Sequence, residues 1–149
     1  MRHGLTRDLP YAPGDLFDLV GDVEAYPQFV RWISDLRVRD RRDEGGGVAV
    51  LDAEAQVKFL VISERFATRV RLDRPRMAID VALLSGPFSK LENRWRFEPH
   101  GQGARIRFDI DVEFRSRLLR GLLAANAERA ANRLVQCFEE RAAQLYGRR

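Results

Sequence analysis

The sequence predicts an α+β fold in which a curved antiparallel sheet of about six or seven strands grips one long C-terminal helix, with two short helices closing one end. Three observations carry this prediction. From Ser116 to Gly147 apolar residues return at the helical spacing of about 3.6 residues, whereas from Asp35 onward they alternate as in strands for about 80 residues. The sheet so formed has one apolar and one charged face, and only the C-terminal helix is long enough to cover the apolar one.

Taken in order, His3 to Leu9 alternates polar and apolar residues and reads as a first strand, weakened by Gly4. Pro13 suits the first turn of a helix whose buried side is Leu16, Phe17, Leu19 and Val20, and Gly21 ends it. Asp22 can cap a second, shorter helical piece. Pro27 restricts Tyr26 and breaks that piece, giving a kinked connection that carries Tyr26, Phe29, Val30, Trp32 and Ile33. Five large apolar groups so close together are too many for a solvent loop: they close the core or roof a pocket.

Leu36 to Arg42 is the next strand, followed by Asp43-Glu44-Gly45-Gly46-Gly47, where glycines supply the positive φ of a hairpin turn. Val48 to Ala55 and Val57 to Ile62 follow, with Phe66, Thr68, Val70 and Leu72 on one face and Arg65, Arg69 and Arg71 on the other. Arg74-Pro75 turns the chain, Met77 to Leu84 forms another strand, and Ser85-Gly86-Pro87 turns again. Leu91, Asn93, Trp95 and Phe97 then alternate with Glu92, Arg94, Arg96 and Glu98. After the turn at 100–103, Ile106, Phe108, Ile110, Val112 and Phe114 point inward and Arg107, Asp109, Asp111, Glu113 and Arg115 outward.

The C-terminal helix has its apolar stripe at Leu119, Leu123, Ala127, Ala130, Leu134, Phe138, Ala142 and Leu145. Ser116 is placed to cap its start, Gly147 stands where a left-handed cap belongs, and no proline interrupts the run. Roughly 30 residues rising about 1.5 Å each make a rod of about 45 Å. Both ends of the stripe are bulky, but its middle is Ala124, Ala125, Ala127, Ala130 and Ala131. Alanine favours a helix and fills little space, so either the sheet approaches closely there or a volume is left for a ligand.

At 149 residues, 45% hydrophobic and 32% charged, the chain fits one domain spanning 1–149 with its own core and no internal repeat. No apolar run reaches the roughly 18 residues that span a bilayer, and the N-terminus lacks the apolar core of a signal peptide, which predicts a cytoplasmic protein. The single cysteine, Cys137, excludes an intrachain disulfide and a cysteine-based metal cluster. The net charge of +4 is concentrated at the C-terminus: residues 115 to 149 carry eight arginines against three acids. Such a surface attracts ribosomal RNA or anionic lipid. Arginine is also the habitual base of the whole chain, with only two lysines among its 26 bases.

No catalytic constellation emerges. His3 and His100 lie in a terminal strand and a turn, no metal-ligand spacing occurs, and Cys137 sits inside a helix as a structural thiol. Asp109, Asp111 and Glu113 share their face with Arg107 and Arg115 and read as a solvated, charge-laced surface. DNA is excluded as a partner because the strand aromatics point inward and the arginines outward, whereas a stacking platform needs both on one surface. Asn93 is the exception among the inward residues: an amide beside Leu91, Trp95 and Phe97 either satisfies a backbone group or meets the polar head of a ligand. Arg117 and Arg120 open the long helix, where the macrodipole disfavours cations, so an internal acid or an external phosphate is expected to offset them.

VGDVEAYPQFVRWI (Val20 to Ile33) resembles the signature of the coenzyme Q-binding, START-like group of the polyketide cyclase/dehydrase and lipid transport superfamily. GPFSKLENRWRFEP (Gly86 to Pro99) and VEFRSRLL (Val112 to Leu119) resemble its other two blocks, in the same order. Arg31 and Ile33 depart from the proline and cysteine of the first block. The resemblance implies a helix-grip fold, as in the birch-pollen allergen, with a hydrophobic cavity between helix and sheet. It implies a non-enzymatic carrier or chaperone for ubiquinone or a related isoprenoid lipid that supports respiratory electron transfer, with quinone as bound ligand and no other cofactor. It also implies two alternatives, since bacterial relatives are described as a ribosome association toxin that blocks subunit joining, and the superfamily contains polyketide cyclases.

The ligand-binding residues expected on this reading are Tyr26, Phe29, Val30 and Trp32 from the roof. Phe88, Asn93, Trp95 and Phe108 join them from the sheet, and Leu123, Ala127 and Ala131 from the helix. No catalytic or metal-binding residue is expected. Basic groups on the helix would hold the protein at the periphery of an anionic inner membrane during lipid exchange.

Overall fold

The alternating runs become seven strands in one antiparallel sheet. The structure is a computed structural model describing residues 1–59, 62–124 and 126–147, with the side chains of 59, 62 and 122–124 outside that description. The elements are β1 (Arg2–Leu9), α1 (Pro13–Gly21), a 3₁₀ turn (Val23–Gln28), β2 (Ile33–Gly45), β3 (Val48–Phe59), β4 (Ile62–Asp73), β5 (Ala78–Ser85), β6 (Phe88–His100), β7 (Gly103–Phe114), α2 (Arg117–Ala124) and α3 (Ala127–Tyr146). The sheet order is β1-β7-β6-β5-β4-β3-β2. Strands β2 to β7 form a meander, and β1 returns to pair with the last of them.

Local chemistry sets the corners. Gly45, Gly46 and Gly47 all take positive φ (82°, 65° and 82°) in the β2–β3 hairpin, which other residues reach only with strain. Gly103 is needed for a different reason: a Cβ there would lie 2.1 Å from the carbonyl oxygen of Leu9, where the ends of β1 and β7 meet. The outer edge strand β2 is blunted by register shifts and by Arg37, Arg39, Arg41 and Arg42, which discourage pairing with another sheet. On the convex face Lys90 Nζ lies 2.8 Å from Asp111, which also faces the terminal amine and Arg2. The hydrogen bond from Lys90 holds the Asp111 carboxyl below its usual range. The outward acids are thus the charge-laced surface expected of them.

Three boundaries differ from the sequence reading. The break expected between Ala55 and Val57 is absent, because β3 keeps its register with β4 through Gln56–Arg65, Val57–Glu64 and Lys58–Ser63. The following connection, 60–61, lies outside the described residues. Strand β2 starts at Ile33, which the sequence had assigned to the connection. Instead of one continuous rod the C-terminal run holds α2, to Ala124, and α3, from Ala127, with residue 125 outside the described residues and Asn126 as the N-cap of α3, its carbonyl accepting the Ala130 N–H at 2.9 Å. Asparagine is a weak interior helix former and a favoured cap, and the alanines around it bury little area that would hold a straight rod. Ser116 Oγ does accept the Leu119 N–H, at 3.4 Å, whereas Gly147 ends α3 with positive φ (82°) but ψ 163°, which is not the left-handed cap expected there.

α3, twenty residues and therefore about 30 Å long, is fastened to the concave face by one aromatic cluster. The Phe138 ring lies 5.2 Å from Tyr26, 5.3 Å from Phe29 and 5.2 Å from Trp95, all near perpendicular. Trp95 in turn lies 4.3 Å from Phe108. Edge-to-face rings add about 0.5–1.5 kcal/mol per pair beyond burial. Arg7 anchors the same helix to β1 through Asn132 at 3.1 Å and Glu139 at 3.2 Å, and the Tyr146 hydroxyl donates to the Asp15 carbonyl of α1. Phe138→Ala should therefore cost about 3–5 kcal/mol in urea denaturation, whereas Leu118→Ala, on a side chain 73% exposed, should change stability by less than about 0.5 kcal/mol. Similar effects for the two would contradict the placement of Phe138 at the centre.

Candidate ligand-binding site

Residues directly opposite one another in neighbouring strands share a face, so the register sorts the concave surface into rows. One row, Phe108, Trp95, Ile79 and Leu72, is buried under α3 and α1. A parallel set, Val112, Leu91 and Phe88, forms a second buried cluster against Phe66, Leu83 and Phe114. Between them runs the row His3, Ile110, Asn93 and Val81, and all four side chains are only half-buried. Ile110 packs against both clusters. The concave face therefore carries a half-open trough between two apolar clusters.

Two polar groups stand in that trough. Asn93 Oδ1 is shut off from solvent and accepts no hydrogen bond; His3 Nε2, two strands away, is likewise covered and unpartnered. An unsatisfied buried polar atom costs about 1–3 kcal/mol. Asn93 Oδ1 satisfies no backbone group among the described residues. His3 was not among the expected site residues, because the pairing of His3 with Ile110 is a long-range register that one strand's alternation does not reveal.

The expected roof does something more definite. The Tyr26 hydroxyl donates to the Val20 carbonyl, the Tyr26 carbonyl accepts the Val30 N–H at 2.8 Å, and Val30 is fully buried. Tyr26 and Phe29 are in the Phe138 cluster, with the Arg141 guanidinium 5.5 Å from the centre of the Phe29 ring. The structure thus brings Tyr26, Phe29, Trp95 and Phe108 together, with Ala131 buried in the same cluster at 5% exposure. Phe88 sits in the second cluster, 5.3 Å from Phe66 and 4.9 Å from Phe114. Trp32 is half-buried just before β2, its carbonyl accepting the Lys58 N–H, and Ala127 is half-buried at the start of α3. The Leu123 side chain lies outside the described residues.

A cleft of about 230 Å³ opens elsewhere, between α1, the 3₁₀ turn and β2 to β4. Its apolar floor includes Phe17, Val38, Leu51 and Leu72, and its charged residues are Asp18, Asp22, Glu24, Arg41 and Arg74. None of these was expected at the site: the packing of α1 on the sheet creates the cleft, and no local pattern announces it. Arg74 pairs with Asp18 and lies 4.8 Å above the Phe17 ring. Among the described residues no cluster of three or more histidines, cysteines or acids is arranged to hold a metal. Burial, followed by the charge of Glu140, pushes the Cys137 thiol up, which makes it a poor nucleophile.

Fold and site together define a helix-grip protein: an antiparallel sheet closed over a C-terminal helix, with an apolar concave face holding few polar groups. The chain belongs to the polyketide cyclase/dehydrase and lipid transport family, whose profile matches residues 9–139. It is 36% identical to the ribosome association toxin RatA of Pseudomonas aeruginosa over 140 residues, 93% of each chain. It is 27% identical over 147 residues to the mitochondrial coenzyme Q-binding protein COQ10 homolog B of Xenopus laevis, covering 96% of this chain and 58% of that one. An 18 kDa Caulobacter crescentus protein solved in solution is 53% identical, with a TM-score of 0.83 and 99% coverage of both chains. A START superfamily protein of Mycobacterium smegmatis (24% identity, TM-score 0.82, 97% and 98% coverage) and a Streptomyces aromatase/cyclase (17%, 0.79, 100% and 99%) share the fold.

Burial, and after it the charge of Asp22, pushes the Tyr26 phenol far above its ordinary value. The folded protein keeps this proton where the unfolded chain loses it, near pH 10. The contribution of Tyr26 is therefore whole below that pH and is lost as pH rises above it. Alkaline titration followed at the phenolate band should show Tyr26 ionising only with unfolding, and Tyr26→Phe should remove that share of the alkaline instability. A reversible phenolate signal from Tyr26 in folded protein would contradict this environment.

Proposed function

We propose that this protein binds a hydrophobic ligand with a polar head, ubiquinone or a related isoprenoid lipid, as a carrier or chaperone that makes and breaks no bonds. The observation that carries the reading is the trough between two apolar clusters with the unpartnered Asn93 oxygen in its floor. A ligand lying there covers half-exposed Ile110 and Val81 and offers the amide a partner. Each methylene-sized group of an isoprenoid tail removed from water contributes about 0.8 kcal/mol, so one or two polar contacts suffice to orient the head. Support comes from the lipid transport description of the family and from the coenzyme Q-binding Xenopus relative. The polar groups in the trough floor, an amide and an imidazole, offer no paired carboxylates for a cyclase. Among the described residues no helix is long and apolar enough to cross a membrane. On this reading the protein works in the cytoplasm and meets the inner membrane through the exposed Arg117, Leu118 and Arg120 of α2.

A second reading, association with ribosomes, is favoured by a different observation. Arg117, Arg129 and Arg133 are exposed on the C-terminal helices and form no ion pair among the described residues, and the Pseudomonas relative is a ribosome association toxin.

Protein purified from its host should release an isoprenoid quinone on organic extraction, detected by mass spectrometry, and the delipidated protein should bind quinone saturably. No co-purified lipid together with no saturable binding would refute the carrier reading. The ribosomal reading predicts co-sedimentation with ribosomal subunits that weakens steeply with salt. Replacing Arg117, Arg129 and Arg133 with Gln should abolish it and leave quinone binding intact; salt-independent sedimentation would refute it.

A further inference from the structure

A defect in the edge strand β2 serves the cleft beside α1. Arg39 pairs with Asp52 and Arg42 with Val50, so two residues of β2, Asp40 and Arg41, stand opposite the single Leu51 of β3. Counted by twos from Val38, which faces the concave side, Arg41 would stand on the convex one. The extra residue turns it inward, and it lines the cleft together with Val38 and Leu51. Asp40 takes φ 51° to make this turn, a left-handed conformation that residues other than glycine rarely hold. A bulge that re-aims a side chain, with a strained residue to hold it, marks working sites more often than plain strands. The Arg41 guanidinium so delivered makes no ion pair or hydrogen bond among the described residues.

The rest of the cleft says what Arg41 is there to meet. Its volume of about 230 Å³ is below the roughly 300–1,000 Å³ of sites for drug-sized ligands, so it takes a smaller metabolite. The floor of Phe17, Leu51 and Leu72 is apolar and buried. Gly21, at the end of α1, helps keep it open: a Cβ there would already stand 3.3 Å from Leu72 Cδ2. Asp18 and Arg74 neutralise each other. That leaves Asp22 and Glu24, from the turn after α1, and Arg41 from β2, with no ion pair joining them among the described residues. A simple anion would meet one guanidinium and two repelling carboxylates, and a simple cation would leave Arg41 facing it. A small zwitterion with an apolar side chain answers all three features.

We propose that this cleft is a second binding site, for a free α-amino acid with a large aliphatic or aromatic side chain. The Arg41 guanidinium takes the α-carboxylate through two parallel hydrogen bonds, Asp22 and Glu24 face the α-ammonium, and the side chain lies on Leu51, Leu72 and Phe17. The site is separate from the trough and does not rest on the function proposed for it.

The test is titration of the full chain with L-leucine and with L-phenylalanine, followed by calorimetry and by the methyl chemical shifts of Val38, Leu51 and Leu72. Both amino acids are expected to bind saturably, with Kd about 1 mM or tighter. Leucinamide, which lacks the carboxylate, and N-acetylleucine, which lacks the ammonium, should each bind about tenfold more weakly than leucine. Arg41→Gln should lower the affinity for leucine to that for leucinamide. Deleting Asp40 restores the plain alternation and sends Arg41 to the convex face, so it should have the same effect while keeping the guanidinium. If the deletion unfolds the edge strand, Arg41→Gln, on an exposed side chain, decides alone. No saturable binding of either amino acid, equal affinity for leucine and either blocked form, or unchanged affinity for leucine in Arg41→Gln overturns the proposal and leaves the trough reading standing.

Discussion

The structure depends on one junction, the ring of Phe138. It is the point where the C-terminal helix, the connection after α1 and the sheet touch at once, through Tyr26, Phe29 and Trp95. An antiparallel sheet with a single apolar face is stable only if that face is covered, and here the covering is uneven. α3 and α1 seal the part of the sheet that holds Trp95, Phe97, Ile106 and Phe108, all at most 3% exposed. Further along, Phe88, Leu91 and Val112 form a smaller cluster of their own, and the row between the two is left half-open.

The row of His3, Ile110, Asn93 and Val81 holds two covered polar atoms without partners among the described residues. Leaving two polar atoms unsatisfied there costs about 1–3 kcal/mol each, an appreciable fraction of a stability of about 5–15 kcal/mol. A protein built only for stability would carry leucine at position 93. On the function proposed above, the amide finds its partner in a ligand.

Much of the fold was legible in the sequence because it is encoded by local periodicity. The error-free alternation of Ile106 to Phe114, the Gly45–Gly47 turn and the capping at Ser116 appear in the structure as read. What failed were features set by tertiary context. Asn126 stands as the N-cap of α3 in a run that periodicity alone continues, and the strand through Ala55 runs on because its pairing with β4 does. At the site, Asn93 was legible as the one amide on an apolar face. His3 was not, since only its pairing with Ile110, 107 positions further along the chain, sets it in the row of Asn93. The cleft beside Phe17 and Arg74 was invisible for the same reason, being made by helix-on-sheet packing.

The function proposed above joins membership of a lipid transport family, the trough and the basic helices. The claim at the centre is that the ligand lies on the row of His3, Ile110, Asn93 and Val81. Chemical-shift mapping of the side-chain amides and methyl groups during titration with a short-chain ubiquinone analogue tests it most directly. The account predicts that the Asn93 amide and the Ile110 and Val81 methyls move first and most. Shifts confined to the cleft lined by Leu51, Leu72 and Val38, with the Asn93 amide unmoved, would contradict it.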